Sequence, residues 1–431
     1  MAAIPHLTRA TELDPNFALA YATLGVANGN NSESKAAEEN LKRAFALKER
    51  ATEPERFYIQ AHYYGEVTGE IDQEIATYEA WRRVYPRDSI PLDNLALDYF
   101  ATGEFEKALA AGKEALQLSD TDTFAYQRIA ISYKSLNRFE EARAVAQEAI
   151  SKKADSGPLH VLLFELAFLK RDQAAMDKEL SEGKGTEREA FLLEKKAAAE
   201  MALGKISLAQ NSLHEAEASA LRNAMKEFAA VITAQAGKRV AAYGDCSSAK
   251  TQTAASLARI PDGENRRFAA LALAQCGDGT AKKLIEAEAK ARPQDSLVQG
   301  VFVPLIDALN SLQKGDGSAA LAILEPARRY ERATAPPNAP YWILYTRGKA
   351  HLLLKEPDKA VAEFQKILDF RGRDATSELI PMAQLHLARA YAMQTDSGKA
   401  RTAYQDFLAM WKDADPDIPV FKEAKAEYGK L

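Results

Sequence analysis

Six histidines, two cysteines and one Gly-Asp-Gly turn are the places where this sequence could do chemistry, and each asks for a particular spacing. A helical metal site sets its ligands three or four residues apart on one face. His6, His62, His160, His214, His351 and His386 are scattered along the chain, and no two of them stand at that interval. No metal is expected. Cys246 and Cys276 form no Cys-x-x-Cys pair, and two cysteines are too few for a disulfide scaffold, so both are read as small residues at turns. Gly277-Asp278-Gly279-Thr280, followed by Lys282-Lys283, is the nearest approach to a phosphate loop, but it lacks the glycine spacing and no strand precedes it. It reads as the cap of a helix. With no set of ionisable groups brought together by spacing, no catalytic residue and no cofactor are expected.

The elements that would position any site follow from a period of about 34 residues. One unit runs Leu92, Leu95-Ala96, Tyr99, Gly103, Phe105, Ala108 and Ala115; the next repeats it as Tyr126, Ile129-Ala130, Tyr133, Asn137, Phe139, Ala142 and Ala149. Two antiparallel helices approach closely only where small residues meet, so Gly25, Ala96 and Ala130 should face Ala37, Ala108 and Ala142. This grammar of Leu-Gly, then Ala and a closing Pro, matches the tetratricopeptide repeat (TPR). Following the small residue along the chain predicts eleven helix pairs with a half repeat at each end, an all-α right-handed solenoid. Residues 1–332 form a first array, with an incomplete first repeat and divergent repeats near 50–86 and 155–300. The proline-rich stretch 333–340 is expected to be a hinge, and 341–431 a second array with a terminal helix. Later repeats are spaced by about 40 residues, which implies longer loops or helices.

The composition agrees. Gly (22) and Pro (17) are sparse, and the net charge of -5 is spread over the whole length, which gives no cationic footprint for nucleic acid. Neither a leader-like N-terminus nor an apolar run long enough to span a bilayer is present, so no membrane insertion is expected. The chain alone reads as cytoplasmic.

Tyr345-Thr-Arg-Gly-Lys-Ala, Phe364-Gln-Lys-Ile-Leu, the stretch from Tyr404 through Trp411 to Pro419, and the ending Lys422 to Tyr428 carry a more specific signal. These segments resemble the C-terminal TPR region of acidobacterial eukaryotic-like serine/threonine kinases. The kinase's Gly-rich loop, His-Arg-Asp and Asp-Phe-Gly motifs do not occur. The resemblance therefore implies a sensing or scaffolding role without kinase activity. Those repeats often follow a transmembrane helix, which implies a periplasmic or extracellular position if this chain derives from an anchored parent.

Partners are expected to be proteins or peptides, held in the inner groove lined by the first helix of each pair. Counting one turn from the packing residues places Leu97, Phe100, Phe124, Arg128, Ile131 and Lys134 there, and Trp342, Tyr345 and Lys349 in a later unit. Aromatic anchors among cations suit a peptide that carries acidic groups. Asn94 and Arg128 match two positions of the clamps that hold chaperone C-termini, but Phe124 and Ile59 stand where lysines are needed, so that clamp is not expected. The unpaired half repeats leave Ile4 and Leu7 at one end and Val420 and Phe421 at the other. If both stay uncovered, head-to-tail association into oligomers or filaments follows.

Overall fold

The computed structural model describes residues 3–31, 33–333 and 341–431. Most of the described chain is helical, and no strand occurs among the described residues. After α1 (Ala3–Leu13) come the pairs α2 (Ala18–Asn30) and α3 (Ser34–Ala46), α4 (Glu53–His62) and α5 (Ile71–Val84), α6 (Ile90–Ala101) and α7 (Phe105–Leu118). Next are α8 (Thr123–Ser135) and α9 (Phe139–Ser151), α10 (Gly157–Lys170) and α11 (Gln173–Gly183), α12 (Glu189–Ala202) and α13 (Ile206–Arg222). The array goes on through α14 (Lys226–Ala242) and α15 (Cys246–Arg259), α16 (Gly263–Gln275) and α17 (Thr280–Ala291), α18 (Val303–Gln313) and α19 (Gly317–Leu324). It ends with α20 (Trp342–Leu353) and α21 (Pro357–Asp369), α22 (Leu379–Met393) and α23 (Ser397–Met410), and the lone α24 (Pro419–Tyr428). These are the eleven pairs and two half repeats that the spacing predicts. A π-helical turn, Tyr63–Thr68, prolongs α4, and another, Val298–Phe302, leads into α18.

The small residues do what their spacing requires. A side chain on Gly25 would fall 2.7 Å from Cγ of Leu41 and 3.1 Å from the carbonyl of Ala37. Ala108, Ala142, Ala209, Ala249, Ala281, Ala320, Ala360 and Ala400 are all fully buried at the corresponding crossings. From the second repeat onward, the turn between the paired helices passes through a left-handed residue. Glycine fills it at Gly69, Gly103, Gly204, Gly244, Gly277 and Gly315; Asn137, Arg171, Lys355 and Thr395 take it elsewhere. The predicted hinge at 333–340 lies outside the described residues apart from the buried Ala333. On either side of it α20 packs against α18 and α19, so the stacking continues.

The coil is wound tightly enough for its successive turns to touch. Each contact joins the turn inside one repeat to the loop that closes a repeat five or six places later. The amide of Ser296 donates to the carbonyl of Gly69 at 2.9 Å, and Asn137 holds the carbonyl of Asp369 at 2.5 Å. Further on, the amide of Asp415 donates to Gly204 at 2.9 Å, and the indole of Trp411 to the carbonyl of Ala202 at 3.0 Å. These contacts convert an open superhelix into one whose axis is enclosed by protein. No helix among the described residues is long and apolar enough to cross a membrane.

The ends correct one expectation. Val420 and Phe421 are buried, because α24 turns back onto the earlier coil, where the amide of Val420 reaches the carbonyl of Tyr243 and Phe421 packs on Trp411. The apolar face expected to be open at the C-terminal end is covered within the chain. Ile4 and Leu7 on α1 are half-buried, and α1 packs on α2.

Candidate binding cavity and the segment beside it

First helices of successive repeats turn the same face to the superhelix axis, so their inner residues converge even though they are far apart in sequence. Around the axis lies a cavity of about 920 Å³, within the range of ligand sites. Phe100 lines it from α6, and Arg128, Ile131 and Lys134 from α8; Glu165 comes from α10, and Phe191, Glu194 and Lys195 from α12. Phe228, Lys238 and Arg239 belong to α14, and Glu264 and Phe268 to α16. The last wall is Arg373 and Asp374, from the loop joining α21 to α22.

Four expected groove residues, Phe100, Arg128, Ile131 and Lys134, are thus brought together at one cavity. The other five are elsewhere. Phe124 is exposed at the start of α8, and Leu97 is half-buried; neither lines the cavity. Trp342 and Tyr345 are buried, which corrects the expectation of an open groove at α20. Its inner face is closed by α22 and the preceding loop, where the Trp342 indole donates to Glu378 at 3.2 Å and the Tyr345 ring stacks on His386. Lys349 lies half-buried, 5.7 Å from the Tyr345 ring.

The cavity is apolar on one side and highly charged on the other. Phe191 and Phe228 stand edge-tilted at 4.4 Å between ring centres, and Phe191 remains 40% exposed. Opposite, Lys134 pairs with Glu165 at 2.5 Å, Lys238 with Glu378 at 2.9 Å and Arg239 with Glu378 at 3.2 Å, all with side chains almost wholly buried. Burial alone would raise the carboxyls of Asp374 and Glu378, but the cations outweigh it. Arg239, Lys195, Lys238 and Lys134 hold Asp374 below the usual carboxylate range, and Lys238 and Arg239 do so for Glu378. Burial also lowers Arg128 and Arg373 from the usual guanidinium range. The Nε of each meets no hydrogen-bond partner, and the Arg373 guanidinium lies 4.3 Å from the Phe370 ring.

Sequence reasoning missed the loop itself. Its one signal is the spacing of about 40 residues between the last small residues. The added length is Arg371-Gly-Arg-Asp-Ala-Thr-Ser-Glu378, most of it buried along the axis. A second omission is covalent: Cys246, at the start of α15, is bonded to Cys276, at the end of α16, with Cα atoms 5.6 Å apart. Both do stand beside turns, as expected, but they pair because stacking sets one repeat's turn against the next. A third is His160, whose Nδ1 lies 2.6 Å from Glu179 and Nε2 2.9 Å from Asp155. Glu182 also comes near, its ligand oxygen within 4.8 Å of those of His160 and Glu179. The group joins α10 to α11 across a helix pair, where spacing along one helix does not reach. The two carboxylates hold the imidazole above its ordinary value, Glu179 foremost and against the effect of burial, which suits an ion pair between helices.

No curated protein matches this chain. Among solved structures it is similar to yeast Tom70, at 12% identity over 90% of this chain and 95% of that one, with a TM-score of 0.36. It is similar also to human IFIT1, solved as a dimer with m7Gppp-AAAA, at 14% identity over 95% and 94% of the two chains, TM-score 0.38. A tetratricopeptide repeat protein from Parabacteroides merdae aligns at 12% identity over 77% of this chain and 98% of its own, TM-score 0.27. Residues 125–155, which hold most of α8 and all of α9, match the tetratricopeptide repeat family model, and they lie within an all-α solenoid of paired helices built on one repeated grammar.

Proposed function

We propose that this chain is a non-enzymatic binding module that takes a peptide or protein segment into the cavity on its superhelix axis. The observation that carries the reading is the pairing of Phe191 and Phe228, partly open to solvent, with the buried, incompletely partnered guanidinium groups of Arg128 and Arg373 around one space. An apolar anchor would seat on the aromatic pair while an acidic group meets the arginines. A scaffold or sensor role, as the kinase-associated arrays imply, fits a module of this kind. Self-assembly through the ends loses its support, because Val420 and Phe421 are used inside the chain.

A peptide library selected on the full chain tests the reading. Enriched sequences should combine an apolar residue with acidic ones, and Phe228→Ala or Arg128→Gln should weaken them by about tenfold each, the scale of an interface hot spot. Selected peptides that bind the double variant as tightly as the parent would remove the proposal. The bonded Cys246 and Cys276 further support an oxidising compartment in place of the cytoplasm expected from sequence. Alkylation without reductant that labels both thiols in freshly isolated protein would contradict this.

A further inference from the structure

The loop from Asp369 to Glu378 is held in a way that differs from ordinary packing. Side chains from the turn after α8, from the residue before α20 and from α14 grip its backbone at successive points. Asn137 accepts from the amide of Gly372 at 3.0 Å while its own amide nitrogen donates to the carbonyl of Asp369. The Tyr341 hydroxyl donates to the carbonyl of Phe370 at 2.6 Å and accepts from the amide of Asp374 at 3.1 Å. Arg239 donates to the carbonyl of Thr376 at 2.7 Å. A side chain at Gly372 would lie 1.9 Å from the carbonyl of Lys134, so the backbone passes as close to α8 as glycine permits.

The side chains complete the pattern. Asp374 and Glu378, four residues apart, enter a cationic wall of Lys195, Lys238 and Arg239 from the first helices of two repeats. Those helices lie more than 130 residues earlier in sequence. The same loop, through Arg373 and Asp374, forms one wall of the cavity, so the stretch it covers and the cavity are continuous. Backbone capture by polar side chains, joined to paired carboxylate sites, is how a groove holds a bound peptide segment.

We propose that residues 369–378 are an internal ligand, occupying an acidic-peptide track built by the repeats of α8, α12 and α14. A partner segment of the same chemistry, folded into successive turns like those closed by Arg373 on Phe370 and Ser377 on Asp374 and with carboxylates four residues apart, takes this place when the loop leaves. The inference rests on the groove being a peptide site. Tethering gives the loop a high effective concentration, so the intact chain rejects weak competitors and admits strong ones.

The test uses the full chain with residues 370–378 replaced by a Gly/Ser linker of equal length, and a labelled synthetic peptide spanning residues 367–380. The linker chain should bind this peptide at least tenfold more tightly than the parent does. A peptide carrying Asp374→Asn and Glu378→Gln should lose at least tenfold of that affinity. A linker chain that keeps the parent's helix content and cooperative melt yet ignores the peptide overturns the proposal, as does equal binding by the parent. Should the linker chain not fold, Asp374→Asn in the parent keeps the question open to measurement. It should raise hydrogen exchange across 371–377 and not in the flanking helices, and unchanged exchange overturns the proposal too. Library peptides captured at Phe228 while the loop peptide is ignored would leave the binding-module reading standing and remove only the internal ligand.

Discussion

At two of the places where the superhelix buries carboxylates, their surroundings drive them in opposite directions. In the repeats of α4 to α7, Glu74 and Asp98 lie near each other and near Tyr78, whose hydroxyl is buried without a partner. Burial raises both carboxyls well above their ordinary range. Asp98 and Glu66 raise Glu74 further; on Asp98, Glu66 adds to burial while Arg128 opposes it. Around α12 and α14 the same residue types, the half-buried Asp374 and the fully buried Glu378, face cations, and they are held low. Inner-face position therefore does not decide ionisation; the company of the group does. The first region disfavours charge on its carboxyls, whereas the second is a charge-balanced lock between coil turns.

Removing one charge from the lock gives the largest expected effect. Glu378→Gln leaves Lys238 and Arg239 buried without their shared counter-charge, which costs about 3–5 kcal/mol. Glu74→Gln puts an amide of the same shape where burial and acidic neighbours already raise the carboxyl, and should change stability by less than about 1 kcal/mol. Urea denaturation of both variants measures the contrast, and equal losses would erase the distinction between the two regions.

Next in size is the disulfide, which belongs to the second region alone and closes a separation of 30 residues. Cys246→Ser with Cys276→Ser should destabilise by about 3–4 kcal/mol on loop-entropy grounds. Hydrogen exchange should rise in α14 to α17 and stay unchanged in α4 to α7. Uniform loosening would mean that the coil responds as one unit.

Smaller still is the effect of overfilling the helix crossings, where the two regions should agree. Ala108→Leu in the first region and Ala249→Leu in the second replace fully buried alanines at equivalent crossings, and each should cost about 1–3 kcal/mol in thermal unfolding. A large difference between them would show that the scaffolds, and not only their linings, are unlike.

That equivalence is also why the fold was legible in the sequence. Helix crossings recur with a fixed spacing because each needs a small residue at the same point, so Ala37 to Ala400 reveal the pairs one after another. Phe100, Arg128, Ile131 and Lys134 could be placed on the inner face by the same counting. The lock could not, because it depends on the superhelical pitch, which emerges from small rotations between repeats and leaves no motif. Trp342 and Tyr345 have the aromatic character of groove anchors; their burial follows from the next repeat and the loop leading into it closing on them. Cys246 and Cys276 are near only because repeats stack, and Asp374 is near Lys195 only because the coil returns.

Protonation supplies the last test and the one with opposite signs. Asp93, on α6 in the first region, is raised to about 7, by burial first, then by Asp122, with Arg128 opposing. Its folded value lies above the unfolded one of about 4, so the native state binds the proton more tightly. The resulting stability is present in full below pH 4 and is lost as pH rises towards 7, with a slope below the single-proton limit of about 1.4 kcal/mol per pH unit, because solvent screens this partly exposed group. Asp374 and Glu378 are lowered, so their contribution is present above pH 4 and is lost as pH falls through their folded values. Unfolding free energies of the parent and Asp93→Asn between pH 4 and 7 separate the two. The variant should lack the parent's decline with rising pH, while both should lose stability alike on acidification below pH 4, where the lock titrates. Parallel curves from pH 4 to 7 would mean that Asp93 is ionised in the folded chain, and that the first region is balanced by Arg128 much as the second is by its own cations.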